Sequence, residues 1–224
     1  MLVDGRLTLL QSAGSDDELV ALARSCGPAT IVAINAPLGL PNGRCCLDDA
    51  CPCRHDPGTR SRAVERLLAR ERVPTLATAL IKVLARRGIA LATRLRVERF
   101  CVIEAYPYAT LRMLNLPATG KRSRAGRAAI LAALASLVPG LAHPDATEHE
   151  VDAVVCALTA DLWLRLRCRE VGDPLEGTMI VPFPVPSDVY VQPEPHVARA
   201  AETQATYQVN AQTLRTPVDN NDAQ

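Results

Sequence analysis

Residues 29–41 read Ala-Thr-Ile-Val-Ala-Ile-Asn-Ala-Pro-Leu-Gly-Leu-Pro, and no other run restricts the fold as much. A short, near-continuous apolar stretch with β-branched members, preceded by Gly27-Pro28 and closed by Pro37, predicts a strand buried on both faces, as in a parallel sheet. Asn35 stands where that strand emerges, and open α/β sheets collect ligands at the carboxyl ends of their strands. An amide there also suits a simple turn start, so both readings stand.

The 224 residues suffice for one α/β domain with additions and a substantial core, and a hydrophobic content of 48% is that of a globular chain. With a formal net charge of +1, bulk electrostatics argues for neither nucleic-acid nor membrane binding. The distribution of charge says more. No acid lies between Glu104 and Asp145, yet Arg112, Lys121, Arg122, Arg124 and Arg127 all fall there, which predicts a locally positive side. No apolar stretch reaches the ~18 residues of a membrane helix, and Met1 opens no leader-like segment, so no membrane partner is expected and a cytoplasmic location is. In a reducing compartment the eight cysteines are thiols, core residues or metal ligands rather than disulfides.

Val3-Asp4-Gly5-Arg6 signals a tight hairpin with a three-residue incoming arm and Leu7, Leu9 and Leu10 in the outgoing one. Ser15-Asp16-Asp17-Glu18 predicts a capping box opening a helix with Leu19, Leu22, Ala23 and Cys26 on one face and Gly27 as its stop. After the strand at 29–35 comes an irregular loop to about Gly58, then a helix near Ser61 with Val64, Leu67 and Leu68 apolar. Leu76, Leu80, Leu84, Leu91 and Leu95 keep near-helical spacing, as one helix or two in line. Phe100 to Ala105 predicts a second buried strand, Tyr108 to Leu116 a short helix, Ser123 to Leu137 a longer one and Glu148 to Arg169 the last. Gly177 to Val181 adds a short strand, and from Pro182 onward the composition predicts an extended or disordered tail.

Four groups of residues could carry chemistry. On the last helix His149, Asp152, Cys156 and Trp163 share one side, while Val151, Val155, Leu158 and Leu162 form a separate apolar stripe. His149 and Asp152 at that spacing suit one divalent cation, or roles as base and ligand, or mark an ordinary acidic helix start. Glu104 ends a buried strand and should meet an Arg, a Lys or a metal. Lys121, in Thr119-Gly120-Lys121-Arg122, could sit over an anionic substrate, although the spacing is not that of a phosphate-binding loop. The densest ligand cluster is Cys45, Cys46, Cys51, Cys53 and His55, which suits a structural zinc ion, or else exposed or redox-active thiols.

Ala33-Ile34-Asn35-Ala36-Pro37-Leu38-Gly39-Leu40-Pro41, Val102-Ile103-Glu104-Ala105-Tyr106-Pro107 and His149 to Ala160 together resemble domain-of-unknown-function family 429, whose members are predicted nucleases of the RNase H-like fold. The likeness runs from about residue 6 to Pro182, and His149-x-x-Asp152 also looks like the last acidic motif of RuvC-like resolvases. It implies an RNase H-like mixed sheet flanked by helices over residues 1–182, with the Cys-rich loop 42–58 inserted after the central strand and 183–224 as a tail. Implied with it is magnesium- or manganese-dependent phosphodiester hydrolysis, with Glu104, Asp152, His149 and Asn35 at the site and Arg112, Lys121 and Arg122 receiving a nucleic-acid backbone. Two departures weaken catalysis. Asn35 replaces an Asp of the family pattern, and the pattern's first strand, with its leading Asp, has no counterpart, so an N-terminally shortened and inactive form is expected. The alternative is a non-catalytic nucleic-acid or anion-binding protein with a structural metal loop.

Overall fold

The computed structural model describes residues 1–55, 60–143 and 145–185. The tail expected beyond Pro182 lies almost entirely outside these residues. Asp4 and Gly5, both at positive φ, turn the chain between β1 (Leu2–Val3) and β2 (Arg6–Leu7). Next comes α1 (Asp16–Ser25), started by the Ser15 side chain, which accepts from the Glu18 amide at 3.2 Å. The reciprocal half of the expected capping box is displaced by one residue, because Glu18 accepts from the Gly14 amide at 2.8 Å.

The sheet holds β3 (Ile31–Ile34), β4 (Cys101–Ala105), β6 (Gly177–Pro182) and β5 (Cys168–Asp173) in that spatial order. β3, β4 and β6 run parallel, and β5 returns antiparallel to β6. β3 is an edge strand among the described residues, and its four residues are only half-buried. The expectation of burial on both faces is corrected there: helices flank it, but only β4 pairs with it.

Side-chain alternation sets the layers. Val32, Ile34 and Val102 point to one face, where α1 and α3 (Lys82–Val97) cover them through Val20, Ala23, Leu91, Ala92 and Leu95. On that same face α2 (Ala63–Arg70) packs Val64 and Leu68 against Val171, Met179 and Val181. Ile31, Ala33, Cys101, Ile103 and Ile180 point the other way, onto Ala160 and Trp163 of α6 (Glu148–Leu164). The far side of α6 packs Val151, Val154, Val155 and Leu158 against α4 (Pro107–Met113), α5 (Arg124–Leu134) and the N-terminal hairpin. A helix buried on two sides explains why its apolar stripe is wider than the four residues that spacing picks out.

Two helical expectations are corrected. Leu76 and Leu80 lie outside α3 and are 63% and 75% exposed; the helical core stripe is Ala85, Gly88, Leu91, Ala92 and Leu95. α6 stops at Leu164 instead of continuing to Arg169, because Leu166 takes a positive φ and Cys168 onward pairs with β6. Among the described residues there are six α-helices, none long and apolar enough to cross a membrane.

The start of α6 carries a full capping box, with the Thr147 hydroxyl accepting from the Glu150 amide and the Glu150 carboxylate accepting from the Thr147 amide. Thr147→Ala is expected to lower stability by about 1 kcal/mol, read from the urea midpoint. An unchanged midpoint would mean that packing alone fixes this helix start. The Thr147 amide, and then its hydroxyl, hold the Glu150 carboxyl below its ordinary value. A depressed folded value means that this contribution is present above the unfolded value and is lost as pH falls through the folded one, so Glu150→Gln and the native chain should converge in acid.

Candidate functional site

The alternation that sends Ile31 and Ala33 toward α6 sends Asn35 there too, just past the end of β3. α3 comes close behind that exit at Gly88, where a Cβ would lie 2.6 Å from the Ala36 Cβ and 2.8 Å from the Pro37 carbonyl oxygen. Asn35 is exposed, and its Nδ2 donates to Asp152 Oδ2 at 3.3 Å. The Lys121 ammonium donates to the same oxygen at 2.5 Å. Asp152 is 13% exposed at its side chain and Lys121 39%, so the pair spans the boundary between core and solvent.

Lys121 is presented by a tight turn between α4 and α5. Gly120, at φ +87°, packs so closely on Gly126 that a Cβ on the latter would lie 2.0 Å from the Gly120 carbonyl oxygen. Ser123 caps α5 by accepting from the Gly126 amide at 3.0 Å, and Arg127 donates to the carbonyls of Lys121, Arg122 and Ala146. The lysine therefore stands on a backbone fixed from two sides.

Beneath this pair Cys156 is buried one turn after Asp152, and burial, then the Asp152 charge, pushes its thiol up. Burial also raises the Tyr106 phenol, with Tyr108 and Asp152 adding to it, and the hydroxyl donates to the Pro74 carbonyl at 3.0 Å. His149, one turn before Asp152, is exposed, and no hydrogen bond joins it to Asn35, Asp152 or Lys121 among the described residues.

Glu104 is elsewhere. It shares the face of Val102, so the sheet itself separates it from Asp152. Glu104 is 2% exposed, and both of its oxygens accept from Arg62, at 2.5 and 2.8 Å, while the Leu38 amide donates at 2.8 Å. Arg62 also reaches Glu65 at 3.2 Å and the Thr78 hydroxyl at 3.0 Å, completing a buried network at the start of α2. Burial pushes the Glu104 carboxyl up, opposed by the hydrogen bond and charge of Arg62 and by the Leu38 amide. Of the Arg, Lys or metal expected beside Glu104, the partner is an arginine, Arg62. The available signal was Arg62-x-x-Glu65 at a helix start.

Arg112, in the last turn of α4, and Arg122, before α5, are exposed and have no acidic partner among the described residues. Arg124 does have one, Asp145 at 2.8 Å.

The sulfurs of Cys45, Cys46, Cys51 and Cys53 lie within 4.8 Å of one another and could hold a metal ion. Cys45 and Cys51 are 3.4 Å apart. Hydrogen bonding, from Cys51 first, pulls the Cys53 thiol down to about 6, whereas the Cys45 thiol is pushed up to about 12, chiefly by its hydrogen bond to Cys51. His55 is outside the group, and its Nε2 accepts from Arg54 at 3.1 Å.

A family model with the description "Protein of unknown function (DUF429)" matches residues 3–177. No curated protein and no solved structure matches.

Proposed function

The chain belongs to the DUF429 family, and from the chemistry of its sheet edge we propose that it is a nuclease-like domain of RNase H type that holds a nucleic-acid backbone without hydrolysing it. The domain spans residues 1–182, carries the Cys-rich loop 42–58 as an insertion and trails a tail at 183–224. The observation that carries this reading is the Lys121–Asp152 pair, with Asn35 as third member, at the carboxyl end of β3.

A hard divalent cation such as magnesium needs anionic oxygens that are free to turn toward it, and hydrolysis by a metal pair needs carboxylates that converge. The donors here do not fit. Glu104 spends both oxygens on Arg62 and faces the opposite side of the sheet. An oxygen of Asp152 already accepts from an ammonium and an amide, and Asn35 supplies no charge. Lys121 takes the place of a cation beside Asp152.

The chemistry left is recognition. Arg112 and Arg122 offer unneutralised guanidinium groups, and the half-exposed Lys121 adds donors for a phosphate oxygen. Fluorescence anisotropy with labelled single-stranded and duplex oligonucleotides tests this reading. Saturable binding that weakens as salt rises supports it, and no binding at low salt overturns it.

A further inference from the structure

The loop from Asn42 to His55 has almost no core of its own. Leu47, at 2% exposed, is its one buried residue, and no strand or α-helix crosses it. It is tethered to the rest of the fold at three points. The Asn42 amide donates to Glu176 at 2.6 Å, Arg86 of α3 donates to the Leu47 carbonyl at 2.7 Å, and Lys82 pairs with Asp49. So long an irregular segment without apolar burial calls for a cross-link. Its four thiols are gathered on one side.

We infer that Cys45, Cys46, Cys51 and Cys53 are the complete ligand set of a structural zinc ion that fastens this loop. Zinc–sulfur bonds of about 2.3 Å in a tetrahedron put the sulfurs about 3.8 Å apart. The four sulfurs here all lie within 4.8 Å, and the Cys45–Cys51 separation is 3.4 Å, so closing on an ion requires shifts of well under a bond length. A disulfide between Cys45 and Cys51 would instead need about 2.05 Å and would leave two thiols unused.

The surroundings suit an anionic centre. Zinc displaces the thiol protons, and four thiolates on one zinc ion leave a net charge of about −2. The Asp48 amide donates to the Cys46 sulfur at 3.5 Å, and Arg44 folds over the same turn, donating to the Cys46 carbonyl at 2.8 Å and the Asp48 carbonyl at 3.4 Å. His55, which spacing alone makes a fifth candidate, is turned to Arg54 and is not a ligand.

The test is the metal content of protein purified under reducing conditions without chelator, together with the visible spectrum after cobalt replaces zinc. The inference predicts equimolar zinc and the intense absorption of tetrahedral cobalt–thiolate. Both should be lost in Cys46→Ser and Cys53→Ser and kept in His55→Ala. The cluster lies at the surface, so helical circular dichroism should survive these changes and separate loss of metal from loss of fold. Reduced protein that takes up no added zinc, zinc retained when all four cysteines are serine, or loss of zinc in His55→Ala would each overturn the inference.

Discussion

Arg62→Met is expected to remove about 3–5 kcal/mol of folding stability, the cost of leaving one half of a buried ion pair without its partner. Arg62 is 1% exposed and donates to Glu104, Glu65 and Thr78, so its loss strands a buried carboxylate at the start of α2. The same change loosens the Leu38 amide, because Glu104 then lacks the guanidinium that holds it in place. Urea unfolding measures the loss. The double variant Arg62→Met with Glu104→Leu should recover much of it, since replacing both partners of a buried pair by apolar groups is often nearly neutral. A loss below about 1 kcal/mol in the single variant would show that water or a rearranged neighbour satisfies Glu104. The pair would then not be a fixed obstacle to metal binding at Glu104.

The second large effect is on binding, and its sign is unusual. Neutralising Asp152 by Asp152→Asn should tighten nucleic-acid binding, because it frees the Lys121 charge while Asn can still bond to Asn35. Each phosphate neutralised on duplex DNA contributes about −0.9 to the slope of log K against log salt. Arg112 and Arg122 alone set a slope of about −1.8, and releasing Lys121 steepens it to about −2.7. Over a four-fold rise in salt the corresponding losses of affinity are about 12-fold and about 40-fold. Arg112→Ala with Arg122→Ala should flatten the native slope. Weaker binding by Asp152→Asn, with the fold intact, would mean that Asp152 contacts the ligand through a bound cation.

What the sequence made legible was mostly local. The cap at Ser15, the hairpin at Asp4-Gly5 and the strand at Cys101–Ala105 each rest on neighbours a few residues apart. Asn35 and Asp152, 117 positions apart, were brought to one site only by the family resemblance, and a 3.3 Å hydrogen bond joins them. The partner of Glu104 was not legible, since nothing in the spacing from Arg62 distinguishes it from other arginines. Nor was its face. Val102, Ile103 and Ala105 are all apolar, so alternation along β4 carries no hint of which residues meet α6 and which meet α3. β5 was hidden for a different reason: the sequence as far as Arg169 continues a plausible helix, and pairing with β6 makes Cys168–Asp173 a strand instead. In the Cys-rich loop the density of thiols was visible, whereas the turn of His55 toward Arg54 depends on backbone geometry that no spacing rule supplies.

A nuclease-like site that binds and does not cut is tested by turnover. Labelled single-stranded DNA, duplex DNA and RNA would be incubated with the purified chain in magnesium and then in manganese, with products resolved by length. Bound oligonucleotide is expected to stay intact throughout. Metal-dependent cleavage abolished by Asp152→Ala would contradict it, because Asp152 would then have exchanged Lys121 for a catalytic cation.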